Sequence, residues 1–287
     1  MKLAPQETAI EKARRERRHA LILPREHGAW GLLLVPMVTA AGVAFRENSH
    51  ILPVLLLLTA ALALFWLRTP VESLLGTSAM RAQTKTERRE VAIVIAGLSC
   101  VASLALGSLL WAGRNPVLWP IGIAAGLAFV GQGILKKLGR RARMLSEIVG
   151  TIGLTSSAPA AYYVITGKFG ATAWMLWLAN LIFAGNQIHY VQLRIHTARV
   201  EGWKNKLAHG WAFAFGQLAM AGVLVTAGMR GLLPWIALAA FVPLLFRGWF
   251  YFFQKPGPLQ VRKLGWSELR QAIAFCVLFI GAFALAR

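Results

Sequence analysis

The chain has 287 residues, of which 57% are hydrophobic and only 15% are charged. Soluble domains carry roughly a quarter charged residues, so this composition is typical of a membrane protein. The formal net charge is +20, but the basic residues lie between apolar runs and do not cluster on one polar domain. That distribution argues against nucleic acid as a partner and favours membrane lipids, because cations near an anionic leaflet are stabilised.

Apolar runs fill most of the chain. A helix needs about 20 apolar residues to cross a bilayer core of about 30 Å. Nine runs approach this length, at residues 28–45, 51–67, 91–112, 118–135, 146–165, 171–188, 208–229, 232–253 and 269–286. They are too long for the strands of a membrane barrel. The sequence therefore predicts an all-α, polytopic membrane bundle with about nine transmembrane helices. It would comprise a basic arm at 1–27 and a single transmembrane domain at 28–287.

The distribution of lysine and arginine predicts the orientation. With nine spans, 26 of the 31 basic residues fall on the side of the N-terminus and 5 on the other side. Because basic loops stay in the cytoplasm, we expect a cytoplasmic N-terminus and an external C-terminus. Residues 8–23 of the arm fit either a helix lying at the membrane interface or a disordered basic tail.

Polar clusters occur where the second and sixth apolar runs end. Arg68 and Glu72 are four residues apart and could pair on one helix face, provided that the helix continues through Pro70. After the sixth run, two adjacent helical stripes bring further polar groups together: Asn186, His189, Tyr190 and Arg194. Polar groups at membrane depth are costly, so both clusters are candidate sites.

Two more clusters have a partly structural explanation. Arg25, Glu26 and His27 precede the first run, where an acid suits a helix N-terminus. Glu147 begins the fifth run, in which Pro159 breaks a backbone bond that hydroxyls or a cavity must satisfy. Buried amides such as Asn180 and Gln217 are expected to form hydrogen bonds between helices.

The entry into the first run resembles a known family. The residues Leu-Pro-Arg-Glu-His-Gly-Ala-Trp at 23–30, followed by Pro36, look like the YwiC-like family of bacterial membrane proteins, whose function is uncharacterised. This resemblance implies a location in the bacterial inner membrane.

More broadly, the chain resembles the UbiA superfamily of membrane prenyltransferases. The similarity rests on nine spans, the orientation, the two polar clusters and residues 146–167 of the fifth run. That superfamily binds a prenyl diphosphate through Mg²⁺ held by two Asp-rich motifs. Laid on this chain, the first motif keeps an acid only at Glu72, while the second keeps its Asn at Asn186 and has Tyr190 and Arg194 in place of its aspartates.

The acid content separates the chain from such an enzyme. All 11 acidic residues are glutamates, whereas Mg²⁺ requires carboxylate and phosphate oxygens in an octahedral array. We therefore expect no metal ligands in a pocket opening to the cytoplasm. Its basic mouth would be built from Arg25, His27, Arg68, Asn186, His189 and Arg194, with an apolar bundle beneath.

Three functions remain open from the sequence, beside a purely structural or assembly role. The first is binding or modification of an amphipathic anionic lipid, isoprenoid or quinone-like molecule without the usual Asp–Mg²⁺ site. The second is a UbiA-like prenyltransferase in which Glu72, with Glu26 or Glu147, holds a reduced Mg²⁺ site. The third is transport of a small anion, which the broken fifth run favours. The sequence does not decide whether the protein is an enzyme, and it indicates no other cofactor.

Overall fold

The computed structural model describes residues 5–24, 27–47, 50–78, 80–113, 115–139 and 142–286. Within these residues the chain forms twelve α-helices and one 3₁₀ segment, and it forms no strand. The helices are α1 (Pro5–Ile22), α2 (His27–Ala44), α3 (Leu52–Leu75), α4 (Lys85–Trp111), α5 (Asn115–Lys137), α6 (Arg143–Thr155), α7 (Ser157–Thr166), α8 (Ala171–Thr197), α9 (Trp203–His209), α10 (Trp211–Met229), α11 (Val242–Phe253) and α12 (Val261–Leu285). The 3₁₀ segment, Trp235–Phe241, leads directly into α11. The predicted all-α class is confirmed.

Seven segments in the described part of the chain are long and apolar enough to cross a membrane: Leu52–Leu75, Lys85–Trp111, Pro116–Lys137, Met144–Thr166, Trp211–Met229, Trp235–Phe253 and Val261–Leu285. The apolar helix Trp30–Ala44 is shorter. Helix α8 has 27 residues, but Asn180, Asn186 and Gln187 reduce its hydropathy. The chain is therefore a multi-pass membrane protein. The nine-span count, the orientation and the UbiA-like arrangement stay predictions.

The fifth apolar run is divided into two helices. Helix α6 ends at Thr155 and α7 begins at Ser157, two residues before Pro159. Hydroxyl groups satisfy carbonyls around the break: Thr155 Oγ1 donates to Thr151 O at 2.8 Å, and Ser157 Oγ donates across to Leu33 O of α2 at 2.9 Å. The carbonyl that loses its helical donor at Pro159 is that of Thr155, so the predicted way of satisfying it stays a prediction.

The centre of the bundle is built around α7, which is buried along its whole length between α2, α3 and α8. Small residues allow these helices to approach closely. Asn180 confirms its predicted role, since its Oδ1 accepts from Thr39 Oγ1 of α2 at 3.1 Å. The expectation for Gln217 is wrong: it is fully buried, and neither of its amide atoms has a hydrogen-bond partner.

The described part of the N-terminal arm is a helix, so of the two alternatives the disordered tail is not what the structure shows. Leu21 is only 2% exposed, and its carbonyl accepts from Ser73 Oγ at 3.0 Å. Trp66 Nε1 donates to Ile22 O at 2.9 Å, and the Arg17 guanidinium lies 2.6 Å from the Glu87 carboxylate. These contacts hold α1 against α3 and α4, beside the part of α3 that carries Arg68.

Candidate functional site

A cavity of about 420 Å³ lies among α2 to α7. Helix α3 packs against α4, α5 packs against α6, and the cavity lies between these two pairs with α2 and α7 behind it. Its wall is predominantly apolar and includes Leu33, Met37, Leu57, Leu118, Ile121 and Leu154. Ligand pockets typically measure about 300–1,000 Å³ and are lined mainly by apolar side chains. The cavity therefore has the size and character of a site for an apolar chain.

One side of this cavity faces the surroundings of the bundle. Its inner wall is closed, since Ala60 is 1% exposed and Ala160 is 4% exposed. Leu64 of α3 is 48% exposed, and Phe129 of α5 is 38% exposed. Because both exposed residues also line the cavity, its opening lies on the side of α3 and α5, where a membrane protein meets lipid.

Polar groups converge at one end of the cavity. Arg68 and Gln132 line it directly, and the Arg68 guanidinium carbon lies 5.9 Å from the centre of the Phe129 ring. Arg68 Nε donates to Glu72 Oε1 at 3.1 Å. Lys136 Nζ, one turn beyond Gln132, lies 3.9 Å from the same oxygen. At this end the cavity wall therefore carries one cation and one amide, and a second cation, Lys136, lies behind them beside Glu72. We call Arg68, Glu72, Gln132 and Lys136 the cavity head.

The α5–α6 hairpin positions Gln132. A Cβ atom at residue 150 would collide with the amide of Gln132, so Gly150 is what gives that side chain its space. Ser146 Oγ also donates to the Gln132 carbonyl at 3.3 Å, which fixes the start of α6 against α5. An amide at membrane depth is costly unless it finds partners. Gly150 of α6 thus leaves room for the Gln132 side chain, which lines the cavity.

The predicted cluster on α8 lies elsewhere. Asn186 and His189 line a second cavity of about 330 Å³, between α8 and α10, together with Phe213 and Gly216. Among the described residues none lines both cavities. Arg68 and the α8 residues, which the sequence placed around one basic mouth, therefore share neither of these two cavities.

Tyr190 and Arg194 belong to a further group, at the junction of α8, α9, α11 and α12. Arg194 Nη1 lies 3.5 Å from the Tyr190 hydroxyl, and Arg247 lies over the Tyr190 ring at 3.9 Å. Sequence reasoning did not single out Lys206, Arg247 or Glu268, which pack here. Arg247 and Glu268 fall inside or beside apolar runs, where a charge is costly, and this was the available signal.

The remaining candidates are only partly described. Arg25 and Glu26 lie outside the described residues, and so does the side chain of His27. Glu147 is described: both oxygens of its carboxylate accept from the Gln192 amide of α8, at 3.4 and 3.2 Å. Glu147 thus joins α6 to α8 at the turn after Arg143.

The carboxylates do not form a metal centre in the described part of the chain. No group of three or more His, Cys, Asp or Glu side chains comes together there. Glu72 accepts from Arg68 with Lys136 nearby, and Glu147 accepts from an amide. Mg²⁺ prefers carboxylates that face an open octahedral site, and these acids are already used by protein donors. Glu72 and Glu147 therefore form no carboxylate cluster within the described residues, and Glu26, the other acid of the predicted reduced site, lies outside them.

A comparison with known protein families agrees with the resemblance that residues 23–30 indicated. The family model described as YwiC-like protein matches residues 23–162, which confirms the predicted resemblance over that part of the chain. The matched region contains most of the cavity, from α2 through α6 and into α7, and all four residues of the cavity head. No curated protein and no solved structure matches the chain. The resemblance to the UbiA superfamily accordingly stays a prediction.

Proposed function

We propose that this chain, a YwiC-like protein by the match over residues 23–162, binds an amphipathic anionic lipid or isoprenoid. The tail would occupy the cavity of about 420 Å³, and the anionic headgroup would lie at the cavity head. The proposal is carried by one observation: an apolar cavity, open toward lipid, ends at the Arg68 guanidinium. Most lining groups provide only apolar contact, so polar specificity is concentrated at that end.

The donors of the cavity head suit an anion bound without metal. Arg68 provides a planar guanidinium, which pairs with two oxygens of a phosphate or carboxylate at once. Lys136 adds a point charge, and Gln132 adds an uncharged amide. Glu72 holds Arg68 in place through Nε. In such a site the headgroup would bind by direct charge-assisted hydrogen bonds, and removal of Mg²⁺ would leave its affinity unchanged.

The prenyltransferase and transport alternatives have less support. A metal-dependent prenyltransferase needs carboxylates that are open to the ion, whereas Glu72 bonds to Arg68. A transporter needs access from both sides, and the cavity that we describe opens laterally. Modification of the bound lipid would need a reacting group, and none is assigned here.

The test compares lipid retained by purified variants. Arg68→Gln removes the guanidinium charge while keeping a polar side chain of moderate length. Arg262→Gln is the matched control, because Arg262 is an exposed basic residue of α12 that lines neither cavity. We expect wild type and Arg262→Gln to co-purify with the same anionic lipid, and Arg68→Gln to lose most of it. Equal retention in all three proteins would overturn the proposal.

A further inference from the structure

A second group of charges, separate from the cavity head, lies where α8, α9, α11 and α12 meet. It consists of Tyr190, Arg194, Lys206, Arg247, Tyr251 and Glu268, which we call the cation–tyrosine cluster. The two tyrosine rings pack edge to face with their centres 5.9 Å apart. Arg247 lies 3.9 Å from the centre of the Tyr190 ring. Arg194 and Lys206 lie 4.8 and 4.9 Å from the centre of the Tyr251 ring.

The cluster is not neutral. Glu268 Oε1 pairs with Arg247 Nη1 at 2.5 Å. Lys206 Nζ bonds to the Gln254 carbonyl at 2.7 Å, and Arg194 bonds to the Tyr190 hydroxyl, neither of which carries a negative charge. Three cations therefore face one carboxylate in the described structure. Two positive charges are left without a counter-charge.

Burial makes this imbalance costly. Lys206 is 1% exposed, and the Arg247 side chain is 10% exposed. A buried charge is tolerated when it is paired and hydrogen-bonded, and contact with tyrosine rings compensates only in part. Burial, together with the charge of Arg194, lowers the pKa of Lys206. The positive charges here are thus in an environment that disfavours them.

Several donors in the cluster also lack acceptors. Arg194 Nε, Arg247 Nε and Arg247 Nη2 are all buried, and none has a hydrogen-bond partner. Buried polar atoms are nearly always bonded, so each unsatisfied one calls for an explanation such as a bound ligand or ion. These three cationic donors outnumber the one orphan acceptor of the cluster, Glu268 Oε2. They belong to Arg194, which has no carboxylate partner, and to Arg247, which uses only Nη1 to pair with Glu268. Both observations indicate the same missing partner, an anion.

We propose that the cation–tyrosine cluster binds a phosphoryl oxyanion, held by Arg194, Lys206 and Arg247. A phosphate monoester carries about −1.5 to −2 charge at neutral pH, which would balance the two uncompensated positive charges. Guanidinium groups pair with phosphate oxygens through parallel hydrogen bonds, and these would use the orphan N–H groups. This site is distinct from the lipid cavity and does not depend on the function proposed there.

Thermal unfolding of the full chain in detergent tests the proposal. Inorganic phosphate is titrated at pH 7.5 against potassium chloride of equal ionic strength, so that general screening is held constant. A ligand that binds only the folded state raises the unfolding midpoint by mass action, and the rise saturates with a measurable apparent Kd. We expect such a saturable rise for phosphate in wild type and none for chloride.

Two variants locate the site. Arg194→Met removes an orphan donor and one charge, and we expect its apparent Kd for phosphate to rise about tenfold or more, as for loss of a charge-assisted hydrogen bond. Lys204→Met is the matched control, because Lys204 is an exposed lysine two residues before Lys206 on the same short helix. It should keep the wild-type Kd. The proposal would be overturned if neither inorganic phosphate nor the phosphate headgroup of a lipid stabilised wild type, and also if Arg194→Met left the apparent Kd unchanged.

If Arg194→Met does not fold, Arg194→Lys replaces it. That variant keeps the charge but loses the two-pronged geometry, so weaker phosphate binding is still expected, and an unchanged Kd would count against the site.

The phosphoryl group could belong to a free solute or to a lipid headgroup. Nanodiscs of pure phosphatidylcholine with added phosphate, compared with nanodiscs containing phosphatidic acid, separate these sources. Stabilisation in the first case assigns a soluble anion, and stabilisation in the second alone assigns a lipid. Arg194→Met and Lys204→Met are compared in each nanodisc. Stabilisation that is lost in Arg194→Met and kept in Lys204→Met belongs to the cation–tyrosine cluster, whereas phosphatidic acid bound at the cavity head would stabilise both variants equally.

Discussion

Arg68 Nε donates to Glu72 Oε1 at 3.1 Å although Pro70 lies between the two residues. Helix α3 continues past this proline to Leu75, and it ends at Gly76, where φ is +70°. A proline removes one helical hydrogen bond but need not end a helix within a membrane, where neighbouring groups compensate. The pairing on one face therefore survives, and it holds Arg68 at the end of the cavity.

Filling the cavity should prevent occupation by a tail. Gly126 lines the cavity, and a Cβ atom there would meet no heavy atom within 4 Å. We expect Gly126→Leu to fold with an unfolding midpoint no lower than that of wild type, because leucine favours helix over glycine by about 1 kcal/mol. Its affinity for a long-chain prenyl diphosphate, measured by native mass spectrometry, should fall at least tenfold, which is about 1.4 kcal/mol.

Gly107→Leu is the control for that change. Gly107 of α4 also has open space at its Cβ position, and it does not line the cavity. It should bind as wild type does. Equal affinities for the two leucine variants would show that the tail does not occupy the cavity.

Gly248 should be required for packing around Gln217. A Cβ atom at residue 248 would lie 2.5 Å from Gln217 Nε2 and 3.1 Å from Phe213 Cε1. We expect Gly248→Ala to lower the free energy of unfolding by about 1–3 kcal/mol, as overpacking of a core does. Gly265→Ala, at a position with nothing within 4 Å, should show no such loss. Comparable stability of the two variants in chemical denaturation would contradict the close packing of α10 and α11.

A carboxylate at the opposite end of the bundle should make stability depend on acid pH. The Tyr162 hydroxyl donates to Glu47 at 2.5 Å, and Lys168 lies 3.1 Å from its other oxygen. The hydrogen bond from Tyr162, followed by the contacts with Lys168, lowers the pKa of Glu47 below its ordinary value of 4.5. A lowered carboxyl pKa contributes stability that is present above 4.5 and is lost as pH falls through the folded-state pKa.

We therefore expect the unfolding midpoint of wild type to fall more steeply below pH 4.5 than that of Glu47→Gln, in which no carboxylate can be lost. Glu201→Gln, a change at an exposed glutamate, should keep the wild-type slope. If Glu47→Gln and wild type follow the same pH curve, the Tyr162–Glu47 contact contributes nothing to stability.

The orientation can be tested with a reporter enzyme that is active only outside the cytoplasmic membrane. Fused after Leu285, it should be active if the predicted nine spans and cytoplasmic N-terminus hold, because they would place the C-terminus outside. Fused into the segment between α11 and α12, near Lys255, it should be inactive. The reverse pattern would place the cavity head on the external side, and activity at both sites would change the span count.

The sequence predicted those features that depend on neighbours along the chain. The helical class followed from run length, and the Arg68–Glu72 pair followed from a spacing of four. The break before Pro159 followed from the proline itself. Each of these features depends only on residues that are close together in the sequence. It can therefore be predicted without knowing how distant helices pack.

Features that depend on packing could not be read in the same way. Lys206, Arg247 and Glu268 are separated by 41 and 21 positions, and only the meeting of α9, α11 and α12 brings them into one cluster. Likewise, the sequence predicted that Arg68, Asn186 and Arg194 surround one mouth. In the structure Asn186 lines the cavity between α8 and α10, and Arg194 lies over the Tyr251 ring. The direction of a helix face toward its neighbours is decided by tertiary contacts alone.

The central claim is that an anionic amphiphile binds in the cavity through Arg68 and without metal. Native mass spectrometry of the detergent-purified protein with a long-chain prenyl diphosphate, with Mg²⁺ and with a chelator, tests it most directly. We predict equal binding in both conditions, at least tenfold weaker binding in Arg68→Gln, and unchanged binding in Arg262→Gln. Binding that requires Mg²⁺ and is lost in Glu72→Gln would contradict the account and would favour a metal-dependent prenyltransferase.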